Sequence, residues 1–142
     1  MENKKFKPLV DKLFHIIWIP TSCLLLIATY FSAFEPLALF ITLAVDVLCF
    51  YFIISPLFGY VELRDNSIFI KVGFFIKKEI PYDKIRGITK ERKIYSESMI
   101  SLKNAMEHVN IKYNRFDVIS VSVNTNDEFI GTLEERCAKY VV

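Results

Sequence analysis

Asp46 is the residue whose position most suggests chemistry, because it is the only charged side chain in the apolar stretch from 37 to 57. A carboxylate near the centre of a bilayer costs several kcal/mol unless it is neutralised, paired or facing a cavity. Counting equally from Glu35 places Asp46 within about one helical turn of Thr21 and Ser22, whose hydroxyls could hydrogen-bond to it. The favoured interpretation is a bond between helices or a protonated acid. An ion or proton relay is the alternative.

Seven cations in the middle of the chain form a second candidate site, a basic patch that could lie on a membrane surface. Its members are Lys77, Lys78, Lys84, Arg86, Lys90, Arg92 and Lys93. Each cation near an anionic leaflet contributes roughly 1 kcal/mol. The alternative is a solvated face on which nearby carboxylates balance the cations, namely Glu79, Asp83, Glu91 and Glu97.

The residues needed for catalysis or for a metal site are scarce. The two histidines, His15 and His108, cannot assemble a catalytic triad or a multi-histidine site, and no two of the three cysteines have CxxC spacing. The sequence also lacks Walker, GxGxxG and HExxH motifs, and its net charge of +2 is small for a nucleic-acid-binding protein. We therefore expect no enzyme, no cofactor, no metal and no nucleic-acid partner.

Asp46 lies within the second of two apolar runs, 13–33 and 37–57, which would position it. At 1.5 Å per residue, each is long enough to cross a hydrocarbon core of roughly 30 Å. A signal peptide would be followed by a soluble chain, and a buried core helix would alternate polar and apolar faces. The runs therefore predict a transmembrane hairpin over 13–58, preceded by a basic segment at 1–12.

The charges that flank these runs predict an orientation. Lysines precede the first run, Arg64 and Lys71 follow the second, and the loop between the runs carries only Glu35. Positively charged flanks stay in the cytoplasm. We expect a multi-pass protein of the cell membrane with both termini cytoplasmic.

The remaining segment, 59–142, has the alternation of short antiparallel strands. Three strands are predicted over 60–81 and a hairpin over 109–123, with a bulge at Gly87. A Thr-x-x-Glu capping box at Thr125 begins an amphipathic helix. One such helix can cover the open end of a bent sheet. The fold class is α+β: a two-helix transmembrane hairpin, then a barrel or sandwich like that of a pleckstrin-homology (PH) domain, capped by the helix.

Five short motifs in this segment resemble the YyaB-like bacterial PH domain family. They are Leu63-Arg64-Asp65-Asn66-Ser67-Ile68, Ile80-Pro81-Tyr82-Asp83-Lys84-Ile85, Ser98 to Leu102, Val109-Asn110-Ile111-Lys112-Tyr113 and Asp127-Glu128-Phe129. The resemblance implies a PH-like fold after two transmembrane helices, in a bacterial cell, and its motifs are structural rather than catalytic.

Together these features predict a membrane-anchored binding or scaffold module. Its expected partners are membrane lipids and either another protein or a second copy of the chain. The resemblance also implies an alternative, an immunity-type membrane protein that protects against a peptide bacteriocin. A small transporter or channel subunit, built around Asp46, is a further alternative.

Overall fold

Two long helices dominate the N-terminal part of the computed structural model, which describes residues 2–95, 98, 101–102 and 105–140. Helix α1 spans Lys12–Ser32 and α2 spans Pro36–Ile54. The Asp11 carboxylate caps α1 by accepting a hydrogen bond of 2.9 Å from the Leu13 N–H. Pro36 begins α2, where a proline's missing N–H costs nothing.

Both helices are long and apolar enough to cross a membrane. In the most apolar 18-residue stretch of each helix, only 6% of the residues of α1 and 11% of those of α2 are buried by the rest of the described protein. The core helix of a soluble protein would instead be mostly covered by the rest of the chain. The apolar surface of the hairpin is therefore left for another environment.

The first sheet has four antiparallel strands that are neighbours in chain order. They are β1 (Lys4–Phe6), β2 (Tyr60–Leu63), β3 (Ser67–Val72) and β4 (Ile76–Pro81). No strand was predicted at β1, which lies before the helical hairpin and pairs with β2, the first strand after it. The chain thus leaves the sheet, forms the hairpin and returns to the same sheet edge.

A second sheet packs against the first. A short 3₁₀ turn at Tyr82–Lys84 leads into β5 (Ile85–Arg92), followed by β6 (Ser101–Leu102), β7 (Glu107–Tyr113) and β8 (Asp117–Val121). Their order is β5-β7-β8-β6, antiparallel except for β6, which runs parallel to β8. The β5–β7 register shifts between Ile85 and Gly87, at the predicted bulge.

The core lies between the two sheets. Inward-facing residues of both sheets are fully buried, among them Val61, Ile70, Ile111 and Val121. Strands β4 and β5 belong to different sheets, so the barrel is not closed and the fold is a sandwich. The predicted α+β class is confirmed.

Helix α3 (Asn126–Ala138) covers the sandwich with Phe129 and Leu133, both fully buried. Thr125 is its N-cap residue as predicted, but the capping box is wrong, since the described Thr125 side chain makes no cap hydrogen bond. The Glu128 carboxylate pairs with Lys4 on β1, and this bond is the main cause that lowers the pKa of Glu128. The Asn126 Oδ1 accepts a 3.0 Å bond from the Val123 N–H and orders the turn into the helix.

Candidate membrane-facing site

One end of the sandwich adjoins the helical hairpin. The N-terminal segment reaches α1 past the end of β8, where the Leu9 N–H donates to the Ser122 carbonyl at 2.9 Å. Helix α2 returns through a 3₁₀ turn at Ser55–Phe58 to the start of β2. We call the end of the sandwich that adjoins the hairpin the proximal end. The distal end carries the β2–β3 turn at 64–66 and the β7–β8 turn at 114–116.

The seven predicted cations do not form one patch. Arg92 lies at the proximal end of β5, whereas Arg86 lies near its distal end and Lys84 just before that strand. An eight-residue strand separates its two ends by about 23 Å. Lys77 is proximal, next to the β3–β4 turn, but the Lys78 ammonium lies 5.5 Å from the Tyr113 ring, towards the distal end. The cations that are close in sequence are therefore spread along the whole domain.

Within the described residues, carboxylates neutralise two of the seven cations. The Lys90 ammonium lies 2.7 Å from Asp127 and 2.8 Å from Glu107, and hydrogen bonds to Asp127 and then Glu107 raise the pKa of this lysine. Lys93 pairs with Glu91 at 3.0 Å, and this bond lowers the pKa of Glu91. These contacts are those of a solvated, balanced face.

Of the other predicted balancing carboxylates, Glu79 accepts a 2.5 Å hydrogen bond from the Ser67 hydroxyl and lies 3.4 Å from the Arg64 guanidinium. Asp83 is exposed in the 3₁₀ turn before β5. Glu97 lies outside the described residues.

A different group of cations gathers at the proximal end. The Lys5 ammonium lies 3.9 Å from the centroid of the Tyr60 ring, and that of Lys71 lies 5.9 Å from the same centroid. Lys5, Lys7 and Tyr60 line an open cavity of about 400 Å³, together with Leu57 at the end of the hairpin. Lysines beside an aromatic ring and an apolar wall are suited to an anionic headgroup attached to an acyl chain.

In the sequence, the lysines before the first run, which include Lys5 and Lys7, and Lys71 after the second run predict only the orientation of the spans. Lys5 reaches this site because β1 pairs with β2, placing Lys5 opposite Glu62. Lys71 reaches it because β3 pairs with β2, placing Lys71 opposite Tyr60. The signal that could have identified them is their position directly beside the apolar runs.

Asp46 lies in the helical hairpin and is 8% exposed, one of the few buried side chains there. Its carboxylate accepts a hydrogen bond from the Thr29 hydroxyl rather than from Thr21 or Ser22. The Thr21 hydroxyl donates to the Ile17 carbonyl of its own helix at 2.7 Å. The structure thus gives Asp46 a partner on α1, and this partner is Thr29 rather than Thr21 or Ser22.

Side-chain direction explains the change of partner. Every Cα–Cβ bond in a helix tilts towards the N-terminus of that helix. In an antiparallel hairpin, Asp46 on α2 therefore leans towards the connecting loop, and Thr29 on α1 leans away from it. Equal counting from Glu35 ignores both tilts and places the partner too far from the loop.

A larger cavity, of about 520 Å³, lies between β5 and α3 and is lined by Ile85, Ile88 and Cys137. Burial raises the pKa of the Cys137 thiol to about 11, so it is a poor nucleophile near neutral pH. Within the described part of the chain, no group of three or more His, Cys, Asp or Glu side chains could hold a metal ion.

Comparison with known protein families matches residues 59–137 to the family described as Bacterial PH domain. The match begins directly after the 3₁₀ turn that ends the helical hairpin and extends through most of α3. No curated protein and no solved structure matches the chain.

Proposed function

Because the chain belongs to the bacterial PH domain family, a family of binding modules, we propose that it is anchored in the membrane and binds anionic lipid headgroups at the proximal end of its PH domain. Helices α1 and α2 are the proposed anchor over 13–58, with the domain over 59–142 and both termini in the cytoplasm. The motif resemblance supports placing the chain in the YyaB-like branch of the family.

The observation that carries this proposal is the gathering of Lys5, Lys7 and Lys71 around Tyr60, at the junction with the candidate spans. The Lys5 and Lys7 side chains are exposed, and Lys77 stands opposite Lys71 on the paired strand. A span that ends at Ile54 holds these cations within a few residues of the membrane surface. At that distance each contributes roughly 1 kcal/mol towards an anionic leaflet.

The test is native mass spectrometry of the full chain, extracted in mild detergent and offered equal amounts of phosphatidylglycerol and phosphatidylcholine. We expect the wild type to retain the anionic lipid preferentially. Changing both Lys5→Gln and Lys7→Gln removes two proximal cations and should lower this preference by roughly 30-fold, corresponding to about 2 kcal/mol.

The matched control changes Lys84→Gln and Arg86→Gln, which removes the same charge from the distal end. This variant should keep the preference of the wild type. An equal loss in both pairs would mean that the lipid responds to net charge rather than to the proximal site. A wild type that does not distinguish the two lipids would contradict the proposal and favour a protein partner at this end.

A further inference from the structure

The β3–β4 turn carries Phe75, the most exposed aromatic residue among those the structure describes at the proximal end. It runs from Gly73 to Phe75, of which Phe75 is 80% exposed and Phe74 41%, and Ile76, the first residue of β4, is 50% exposed. Such a run of apolar residues at the tip of a hairpin would be unfavourable in water. Its surroundings identify what covers it.

The turn is docked against the end of α2. The Phe74 and Phe75 rings lie 5.9 and 6.1 Å from the Tyr51 ring, measured between centroids, and Phe74 lies 5.1 Å from Phe58. Gly73 has φ of 68°, and a Cβ placed there would lie 1.9 Å from the Ser55 hydroxyl oxygen. The close approach to Ser55 therefore needs a residue without a side chain.

These contacts fix how deep the turn lies. Tyr51 precedes the last residue of α2, Ile54, by three positions, which is about 4.5 Å along the helix axis. The two phenylalanine rings thus stand beside the last turn of a candidate span. Lys71 and Lys77 form the second pair of residues from the turn, directly after the Val72–Ile76 pair. Apolar residues at the tip with cations directly behind them match the order of acyl chains and headgroups in a leaflet.

We propose that the β3–β4 turn inserts Phe75 into the boundary between headgroups and acyl chains of the bilayer that α1 and α2 cross. The turn is then a third membrane contact, which fixes the tilt of the domain on the leaflet. This inference rests on the proposed membrane anchoring. It does not require binding of anionic headgroups.

The experiment uses tryptophan fluorescence of the full chain in proteoliposomes made only of neutral phosphatidylcholine with brominated acyl chains. The chain has one tryptophan, Trp18, so a Trp18→Phe background leaves only the introduced probe. The probe variant is Phe75→Trp. The matched control is Phe116→Trp, which also replaces an exposed aromatic residue in a hairpin turn, 83% exposed at the distal end.

We expect the emission of the Phe75→Trp probe to shift to the blue and to be quenched several-fold more strongly than that of the Phe116→Trp control. Equal quenching and equal emission maxima at the two positions would overturn the inference. Circular dichroism of both variants, compared with the wild type, verifies the fold. A Phe74→Trp probe at the neighbouring position gives a second reading if the first variant is misfolded.

The neutral lipid separates this inference from the proposed headgroup binding. Strong quenching at position 75 without a preference for phosphatidylglycerol would support the inserted turn and contradict headgroup binding. A preference for phosphatidylglycerol without quenching at position 75 would do the reverse.

Discussion

Strand β1 joins the sheet from the other side of the helical hairpin, so a fragment that begins at Gly59 lacks it. Phe6 on this strand is 5% exposed, and its ring centroid lies 5.2 Å from that of Phe129 on α3. We predict that the fragment 59–142, which contains the whole family match, is much less stable than the domain with β1 present.

The contacts of β1 set the size of the loss. Truncating a buried phenylalanine to alanine costs about 3–5 kcal/mol. Loss of the strand also removes its pairing with β2 and the 2.7 Å bond from the buried Arg136 guanidinium to the Glu2 carbonyl, each hydrogen bond contributing about 0.5–1.5 kcal/mol net. Domains of this size are stable by only about 5–15 kcal/mol, so the fragment should be marginal or unfolded.

A permuted chain provides the comparison: residues 59–142, a short Gly-Ser linker, then residues 2–10. The linker can be short because Arg136, one helical turn before Tyr140, contacts Glu2. Urea unfolding followed by circular dichroism should show the permuted chain to be more stable than the fragment by at least about 3 kcal/mol. Adding Phe6→Ala to the permuted chain should remove most of this gain.

The matched control for Phe6→Ala is Phe116→Ala, which truncates a phenylalanine that is 83% exposed. It should change the stability of the permuted chain by less than about 0.5 kcal/mol. A fragment that unfolds at the same urea concentration as the permuted chain would refute the reasoning. It would mean that β1 pairs with the edge of β2 without stabilising the domain.

Three further predictions concern the anchor and α3. Asp46→Asn can still accept the Thr29 bond and should preserve folding and any cellular phenotype, whereas Asp46→Leu should loosen the helix pair by roughly 0.5–2 kcal/mol in detergent unfolding. An Asn variant that is inactive at normal abundance would favour an ion or proton relay. With Cys23 and Cys49 changed to serine, maleimide labelling of Cys137 should be slow at pH 8 and accelerate towards pH 11. Labelling at pH 8 as fast as in urea would contradict the burial of this thiol. Because burial raises the pKa of Cys137 in the folded protein, the stability that the thiol contributes should be complete below pH 9 and lost as the pH rises through about 11. Reporter fusions at both termini should read cytoplasmic, and a periplasmic C-terminus would overturn the orientation.

The sequence predicted a helix or strand correctly where the pattern of apolar residues is itself what stabilises that element. The runs 13–33 and 37–57 are apolar on all sides, and the structure has helices at Lys12–Ser32 and Pro36–Ile54. The alternation over 60–81 reflects one buried face, and the structure has three strands there. Between residues 94 and 104 the structure describes 94–95, 98 and 101–102, and the last two form β6.

Long-range pairing could not be predicted in the same way. Strand β1 has three residues and a single buried apolar side chain, Phe6, so it carries no period, and its partner lies more than fifty residues away. Arg136 reads as a surface residue of α3, yet its guanidinium is buried and donates to the Leu63 and Arg64 carbonyls at 3.0 and 2.9 Å. Only the tertiary structure brings these groups together.

The cations of the candidate site also come together through long-range pairing that the sequence could not predict. Proximity in sequence suggested that the cations from Lys77 to Lys93 act together, but an extended strand carries neighbouring charges to opposite ends of a domain. The cations that do meet, Lys5 and Lys71, are separated by the whole hairpin and join only through the pairing of β1, β2 and β3.

The most direct test of the central claim is amide hydrogen exchange of the full chain in nanodiscs, compared between phosphatidylcholine alone and phosphatidylcholine mixed with phosphatidylglycerol. Binding of anionic headgroups at the proximal end should slow exchange at residues 5–8, 57–60 and 71–77 in the mixed nanodiscs. Exchange at the distal turns, 64–66 and 114–116, should be the same in both. Identical exchange in the two lipids, or slowing confined to the distal turns, would contradict the account.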